Sequence, residues 1–280
     1  MSGTQQGRVM GAIMGAFVSE ALGVGPHWCY DLKDLRRAHG DWIDDYTTPE
    51  PGRFHHGLTA GQNSQAGFIL ELMLRSLVEY NGYDEADFCH RLDNDFFPLL
   101  DGKRRSGPGH YTSESIRHAW KRRVDEKRPW HDIGGAADTT EAMERTLAIA
   151  VRYAASDIAA TATDPAIRIE PAWKVSYLYG MPCAFYHQLP AAYYLAARFS
   201  DDFESAVLHA INGGGQNQSR AMLAGALAGA QVGLAGIPQR FLDGLERADA
   251  LQQLAYALAS TFPGNLVYFQ KTNERRQLLH

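Results

Sequence analysis

The chain has 280 residues, 45% of them hydrophobic and 21% charged, an ordinary globular balance with length enough to bury a large core. A formal net charge of −5 and a sequence pI near 6.1 give no electrostatic reason to expect nucleic acid or a membrane surface as partner. The three cysteines, Cys29, Cys89 and Cys183, are widely separated and lack CxxC spacing, which argues against a disulfide framework and a zinc knuckle and fits a reducing cytoplasm. No Pro/Ser-rich linker or compositional break divides the chain, so 1–280 reads as one domain. The N-terminus has no basic stretch followed by an apolar one, and no uninterrupted apolar run approaches about 18 residues, so neither a leader nor a membrane span is expected.

In chain order, the first element is a small-residue apolar helix from Arg8 to Leu22, halted by Gly23-Val24-Gly25-Pro26. Its Gly11 and Gly15 have GxxxG spacing. Because Ser19 and Glu20 interrupt the run, the spacing predicts close packing of helices rather than a membrane dimer. The segment from His27 to Leu58 predicts a short helix at Asp31–Ala38 within a long loop, kept ordered by Trp28, Tyr30, Trp42, Tyr46 and Phe54. After GQNSQ (Gly61–Gln65) comes a mostly buried helix in which Phe68, Leu72 and Arg75 share a stripe. Further helices are predicted at Asp84–Leu99, Ser113–Asp125, Thr139–Ala154, Leu189–Arg198, Asp202–Ile211, Ser219–Gly233 and Ala248–Phe262. Alternating β-branched runs are almost absent, so the fold is expected to be all-α with ten or more helices.

Several residue groups invite a chemical reading. Asp138 and Glu141 can serve as acid/base groups or simply as a capping box at the start of their helix. His27, His55 and His56 share the long loop with Asp31 and can move protons, although their spacing fits no helical metal pair. Arg220 follows the second amide loop and is a candidate anion ligand; Arg75 reads as a structural ion pair. Cys183, after Met181-Pro182, has no neighbouring motif to make it a nucleophile.

The most informative feature is a repeated uncharged word, GQNSQ at Gly61–Gln65 and GQNQS at Gly215–Ser219, each placed where a glycine loop meets a helix N-terminus. Unpaired backbone N–H groups gather at such a terminus, and glycines let the chain approach a ligand closely. Gln62, Asn63, Ser64, Gly214, Gly215, Gln216, Asn217, Gln218, Ser219 and Arg220 are therefore candidate ligand-binding residues. The simpler alternative is that Asn63, Ser64, Asn217 and Ser219 only cap their helices.

These residues resemble the ADP-ribosylglycohydrolase superfamily. The likeness is carried in order by GAIMGAFVSEALG (Gly11–Gly23), by GQNSQ at the place of a Thr-Asp-Asp-Thr metal motif, and by GGGQNQSRAMLAGALAGAQVG (Gly213–Gly233) at the place of a Gly-Gly-Asp-x-Asp-Thr motif. GIPQRF (Gly236–Phe241) follows suit. PHWCYD (Pro26–Asp31), the His55–Gly57 turn and ADTTEA (Ala137–Ala142) are more similar to a divergent branch that includes the jellyfish J-class lens crystallins. The resemblance implies a compact orthogonal multi-helix bundle, a ribosylated or related small-molecule substrate, and hydrolysis of a glycosidic or related bond assisted by two magnesium ions.

The departures bear on that last point. Motif matching puts Gln62, Asn63, Gln216 and Gln218 where four Asp are expected, with Glu20 in place of the opening Asp and His27 near where some members carry a catalytic Glu. Four lost carboxylates remove charge terms of roughly 4 kcal/mol each at an effective dielectric of 20, which amide oxygens do not replace. The expectation is a site without the usual magnesium pair, a single divalent ion held by Glu20, Asp138 and amide oxygens remaining conceivable. Glu20, Asp31, Asp138, Glu141 and His27 are the residual catalytic candidates for a hydrolase. The competing roles are a ligand-binding pseudoenzyme and a crystallin-like structural protein, the last suggested by resemblance alone.

Overall fold

A computed structural model describes residues 5–134, 140, 144 and 169–260. Eleven α-helices run through these residues. In the first half they are α1 (Gln5–Val24), α2 (Leu32–His39), α3 (Gln65–Glu79), α4 (Glu85–Arg91) and α5 (Glu114–Trp120). The second half contributes α6 (Val175–Tyr179), α7 (Phe185–Arg198), α8 (Phe203–Asn212), α9 (Asn217–Val232), α10 (Gln239–Gly244) and α11 (Ala248–Ser260). Among the described residues β-pairing is confined to isolated bridges, Cys29 with Gly215 and His56 with Leu58. The all-α expectation therefore holds.

The centre of the molecule is the pair α1 and α9, with α7 and α8 packed on α9 and α11 on α1. Small residues explain how closely the two backbones approach. A Cβ at Gly11 would overlap the Gly229 carbonyl, one at Gly15 the Gly225 carbonyl, and one at Gly225 the Ser19 hydroxyl. The GxxxG spacing of α1 thus meets a matching one, Gly225 and Gly229, on α9. Although α1 is long and apolar enough by composition to cross a membrane, 83% of the qualifying window is buried inside the protein. That is the pattern of a core helix.

A smaller core of Ile69, Leu72, Leu92, Phe96, Phe97, Leu100 and Ile116 joins α3 to the α4–α5 region. Here the structure refines the sequence expectation. The helices expected at Asp84–Leu99 and Ser113–Asp125 begin as α4 and α5, then widen into π-helical turns at Leu92–Phe96 and Lys121–Asp125. The helix expected to start at Leu189 begins at Phe185 and runs through Pro190, whose missing N–H removes only one ladder bond. The short α6 and α10 have too few residues to show a period and were not anticipated as helices. The expected Thr139–Ala154 helix lies outside the described residues except at Thr140 and Glu144.

Candidate functional site

The α1–α9 pairing brings the two amide words to one place. Ser64 caps α3, its side chain accepting from the Ala66 N–H, while GQNQS opens α9. Between them lies Glu20 of α1, fully buried. Its carboxylate accepts from Asn63 Nδ2 at 2.6 Å, from Gln218 Nε2 at 2.6 Å, from the Ser64 backbone N–H at 3.1 Å and from the Ser64 hydroxyl. Gln218 Nε2 also donates to Ser64 Oγ at 3.0 Å, and Asn63 Nδ2 to the Phe17 carbonyl at 2.9 Å. One glutamate therefore ties both loops to the first helix. Burial drives its carboxyl above the ordinary value of 4.5, opposed by the bonds from Ser64 and Asn63, with Glu144 reinforcing burial.

The second loop is shaped by glycine. Gly214 and Gly215 both have left-handed φ, 66° and 63°, and a Cβ at Gly215 would overlap Met181. Gly215 exchanges backbone bonds with the 28–29 segment: its N–H donates to the Cys29 carbonyl at 2.8 Å, and Trp28 N donates to its carbonyl at 3.0 Å. Gln216 Nε2 donates to Ser219 Oγ at 2.7 Å, while its Oε1 accepts from the Trp28 indole. Gln62 turns elsewhere, accepting from Thr59 N at 2.8 Å to close its own turn.

A small, deep cleft of about 60 Å³ opens between the loops. Its wall includes Trp28, Tyr111, His27, His55, Gln218 and Ser219. Trp28 stacks on His27 with ring centroids 4.8 Å apart and meets Tyr111 edge-on at 4.9 Å. His27 and His55 are both buried, with rings 4.8 Å apart. His55 Nε2 lies 3.2 Å from Gln218 Oε1. The Nδ1 atom of His55 has no hydrogen-bond partner among the described residues, while the side chain of Asn217 bonds the His27 ring and opposes the lowering of its pKa. Burial lowers His27 well below its usual value, helped by His55, and holds His55 at about 4.

Of the sequence candidates, Glu20, His27, Asn63, Ser64 and the residues from Gln216 to Ser219 converge here. Two do not. Asp31 is exposed, caps α2 by accepting from Lys33 N at 2.7 Å, and does not line the cleft. Arg220 is fully buried and does not line the cleft. Its guanidinium donates to the Ala210 carbonyl (3.0 and 2.8 Å), the Gly214 carbonyl (2.7 Å) and Gln188 Oε1 (2.9 Å). It anchors the glycine turn to the end of α8. Arg220→Lys keeps the charge but loses the fork, and is expected to lower stability by about 2 kcal/mol in chemical unfolding. Asp138 and Glu141 lie outside the described residues. Arg75 forms the anticipated ion pair, with Glu71 at 2.6 Å, and Arg247 joins the same carboxylate at 2.7 Å.

Sequence reading missed Glu144. It is buried, accepts from the Thr140 hydroxyl at 2.5 Å, and lines the cleft. The available signal was its position three residues after Glu141, the spacing of neighbours on a helical face.

The histidines make a pH prediction. His55 is lower in the fold (about 4) than its ordinary 6.5, so between these values the unfolded chain binds more protons. Its contribution is complete above pH 6.5 and is lost as the pH falls through 4. The shift corresponds to about 3 kcal/mol. Glu20, raised in the fold, acts in the opposite sense: its contribution is complete below 4.5 and fades as the pH rises. The difference between wild type and His55→Gln isolates the histidine: in urea titrations the wild type should lose stability relative to the variant from pH 7 to 4. Parallel curves would contradict the assignment.

Comparison with known proteins agrees with this architecture. The ADP-ribosylglycohydrolase family model matches residues 1–170 and 159–266. No curated protein matches the chain. A solved structure described as an ADP-ribosylglycohydrolase-related protein complex is similar with a TM-score of 0.64 and 20% identity, covering 92% of this chain and 98% of that one. With the helical fold and the order of its loop motifs already in place, the match over most of the length shows that the chain belongs to the ADP-ribosylglycohydrolase family.

Proposed function

We propose that the chain uses the family scaffold to bind a ribosylated or other sugar-like small molecule in the cleft between the amide loops, without the magnesium pair that the family resemblance implies. The observation behind this reading is the saturation of Glu20. Its oxygens accept from Asn63, Ser64 and Gln218, so the groups turned toward the carboxylate present protons rather than lone pairs. Magnesium takes oxygen ligands at roughly 2.0–2.1 Å in near-octahedral array and gives up water reluctantly. Among the described residues no group of three or more His, Cys, Asp or Glu side chains gathers as a metal site. The donor set does not suit the ion.

What the cleft offers instead is a mixed lining for hydroxyl groups, which both donate and accept. The imidazoles of His27 and His55 and the side chains of Gln218 and Ser219 supply polar groups, and Trp28 and Tyr111 supply aromatic rings. A volume of about 60 Å³ fits one edge of a sugar ring rather than a whole nucleotide. Calorimetric titration with ADP-ribose in EDTA tests the reading. Saturable binding is expected, without product release and weakened by Gln216→Leu; binding that requires Mg²⁺ would overturn it.

A second reading, a metal-independent hydrolase, is favoured by Glu144, a buried carboxylate in the same cleft as the two histidines. It expects slow turnover of an ADP-ribosylated substrate that Glu144→Gln abolishes while binding persists. The titration and the turnover assay separate the two.

A further inference from the structure

Another cavity lies beside the α4–α5 region, separate from the amide-loop cleft. It measures about 450 Å³, within the range of roughly 300–1,000 Å³ typical of small-molecule sites, and shares no lining residue with the amide-loop cleft. Both π-helical turns border it: Asp93 comes from Leu92–Phe96, and Arg123 and Val124 come from Lys121–Asp125. Such turns are rare and recur at functional sites, because each one interrupts the ordinary ladder to re-aim side chains.

The side chains around the cavity divide by chemistry. Phe97, Leu100, Trp120 and Val124 form apolar and aromatic walls. The rings are fixed in place: Phe97 stacks on Trp130 at 5.8 Å and 8°, and the Trp120 indole donates to the Phe97 carbonyl at 3.1 Å. Asp93 is neutralised by a two-pronged bond from Arg123 (2.9 and 2.7 Å) and accepts from the Trp130 indole at 3.0 Å. That leaves Lys127 as the cation on the rim. It is exposed, has no ion-pair or hydrogen-bond partner among the described residues, and is held in left-handed backbone at φ 56°. The following residue closes this turn, Arg128 N donating to the Arg122 carbonyl at 2.9 Å.

We propose that this cavity is a second ligand site, for a planar aromatic anion whose ring lies between the Phe97–Leu100 and Trp120–Val124 walls and whose carboxylate or phosphate meets Lys127. A neutral ring would gain only the apolar burial; an inorganic anion would gain only the ammonium. The combination is what the lining selects, and it does not depend on the reading of the amide-loop cleft.

The test is calorimetric titration of the full chain with indole-3-acetate, phenyl phosphate and neutral indole, probes that contain no sugar for the other cleft to recognise. At least one of the two anions should bind saturably and roughly tenfold more tightly than indole, an energy of about 1.4 kcal/mol. Which anion binds more tightly identifies the acidic group. Lys127→Glu should weaken binding of that anion by tenfold or more, and Val124→Trp, which fills the cavity, should abolish it; unchanged unfolding midpoints confirm that both variants fold. Absence of binding by both anions, or binding indifferent to both substitutions, overturns the proposal. If only the Val124→Trp variant is destabilised, Lys127→Glu alone decides.

Discussion

Replacing Gly229 with leucine is expected to leave no folded protein at ambient temperature, seen as loss of the cooperative unfolding transition and of near-ultraviolet dichroism. Gly229 faces Gly11 across the α1–α9 crossing, and any Cβ there overlaps the Gly11 carbonyl oxygen. The obstruction is backbone, so rotamer changes do not relieve it. The helices must separate, and with them Met14, Phe17, Met222 and their neighbours in the main core. Overpacking against side chains typically costs about 1–3 kcal/mol; forcing apart the central helix pair should exceed about 4 kcal/mol, a large share of a domain's whole stability. Gly134→Ala is a control, because a Cβ there meets nothing within 4 Å. A folded Gly229→Leu variant within about 1 kcal/mol of wild type would mean that the two helices do not cross as described.

Glu20→Ala is expected to be the next most damaging change, at about 4 kcal/mol in urea unfolding. It leaves the Asn63 and Gln218 amides and the Ser64 N–H without their common acceptor in a buried place, and each such group costs about 1–3 kcal/mol. Asn63 keeps its bond to the Phe17 carbonyl and Gln218 its bond to Ser64, which sets the upper limit. Glu20→Gln should fall between, since it retains the shape but directs an N–H at neighbours that are themselves donors. The ligand site is expected to fail together with stability, because the same carboxylate positions both loops. A loss below about 1 kcal/mol in Glu20→Ala would remove Glu20 from the centre of the account.

Much of this was legible in the sequence because it was written in local patterns. Gly11 and Gly15 announced a close helix crossing, although the partner glycines Gly225 and Gly229 could be matched to them only in space. The two amide words marked two similar loops, and their shared hydrogen bonds to Glu20 become visible only once α1 and α9 are paired. Arg220 misled because a cation beside a glycine loop has the same sequence appearance whether it serves a ligand or the loop's own carbonyls. Asp31 misled for a related reason: a carboxylate before a short helix is a cap first. The π-helical turns were invisible, since each closes its helix and too few residues follow to show the phase shift that an added residue causes. The cavity they border could not be anticipated without them.

The proposed ligand site relies on an amide network in place of the magnesium pair that the resemblance implies. Thermal unfolding in EDTA, Mg²⁺ and Mn²⁺, each with and without ADP-ribose, tests it most directly, because a ligand that binds only the folded state raises the midpoint by mass action. The account predicts the same midpoint in EDTA and in either metal, and an equal rise with ADP-ribose in all three. A midpoint raised by Mg²⁺ or Mn²⁺ and restored by EDTA would contradict it.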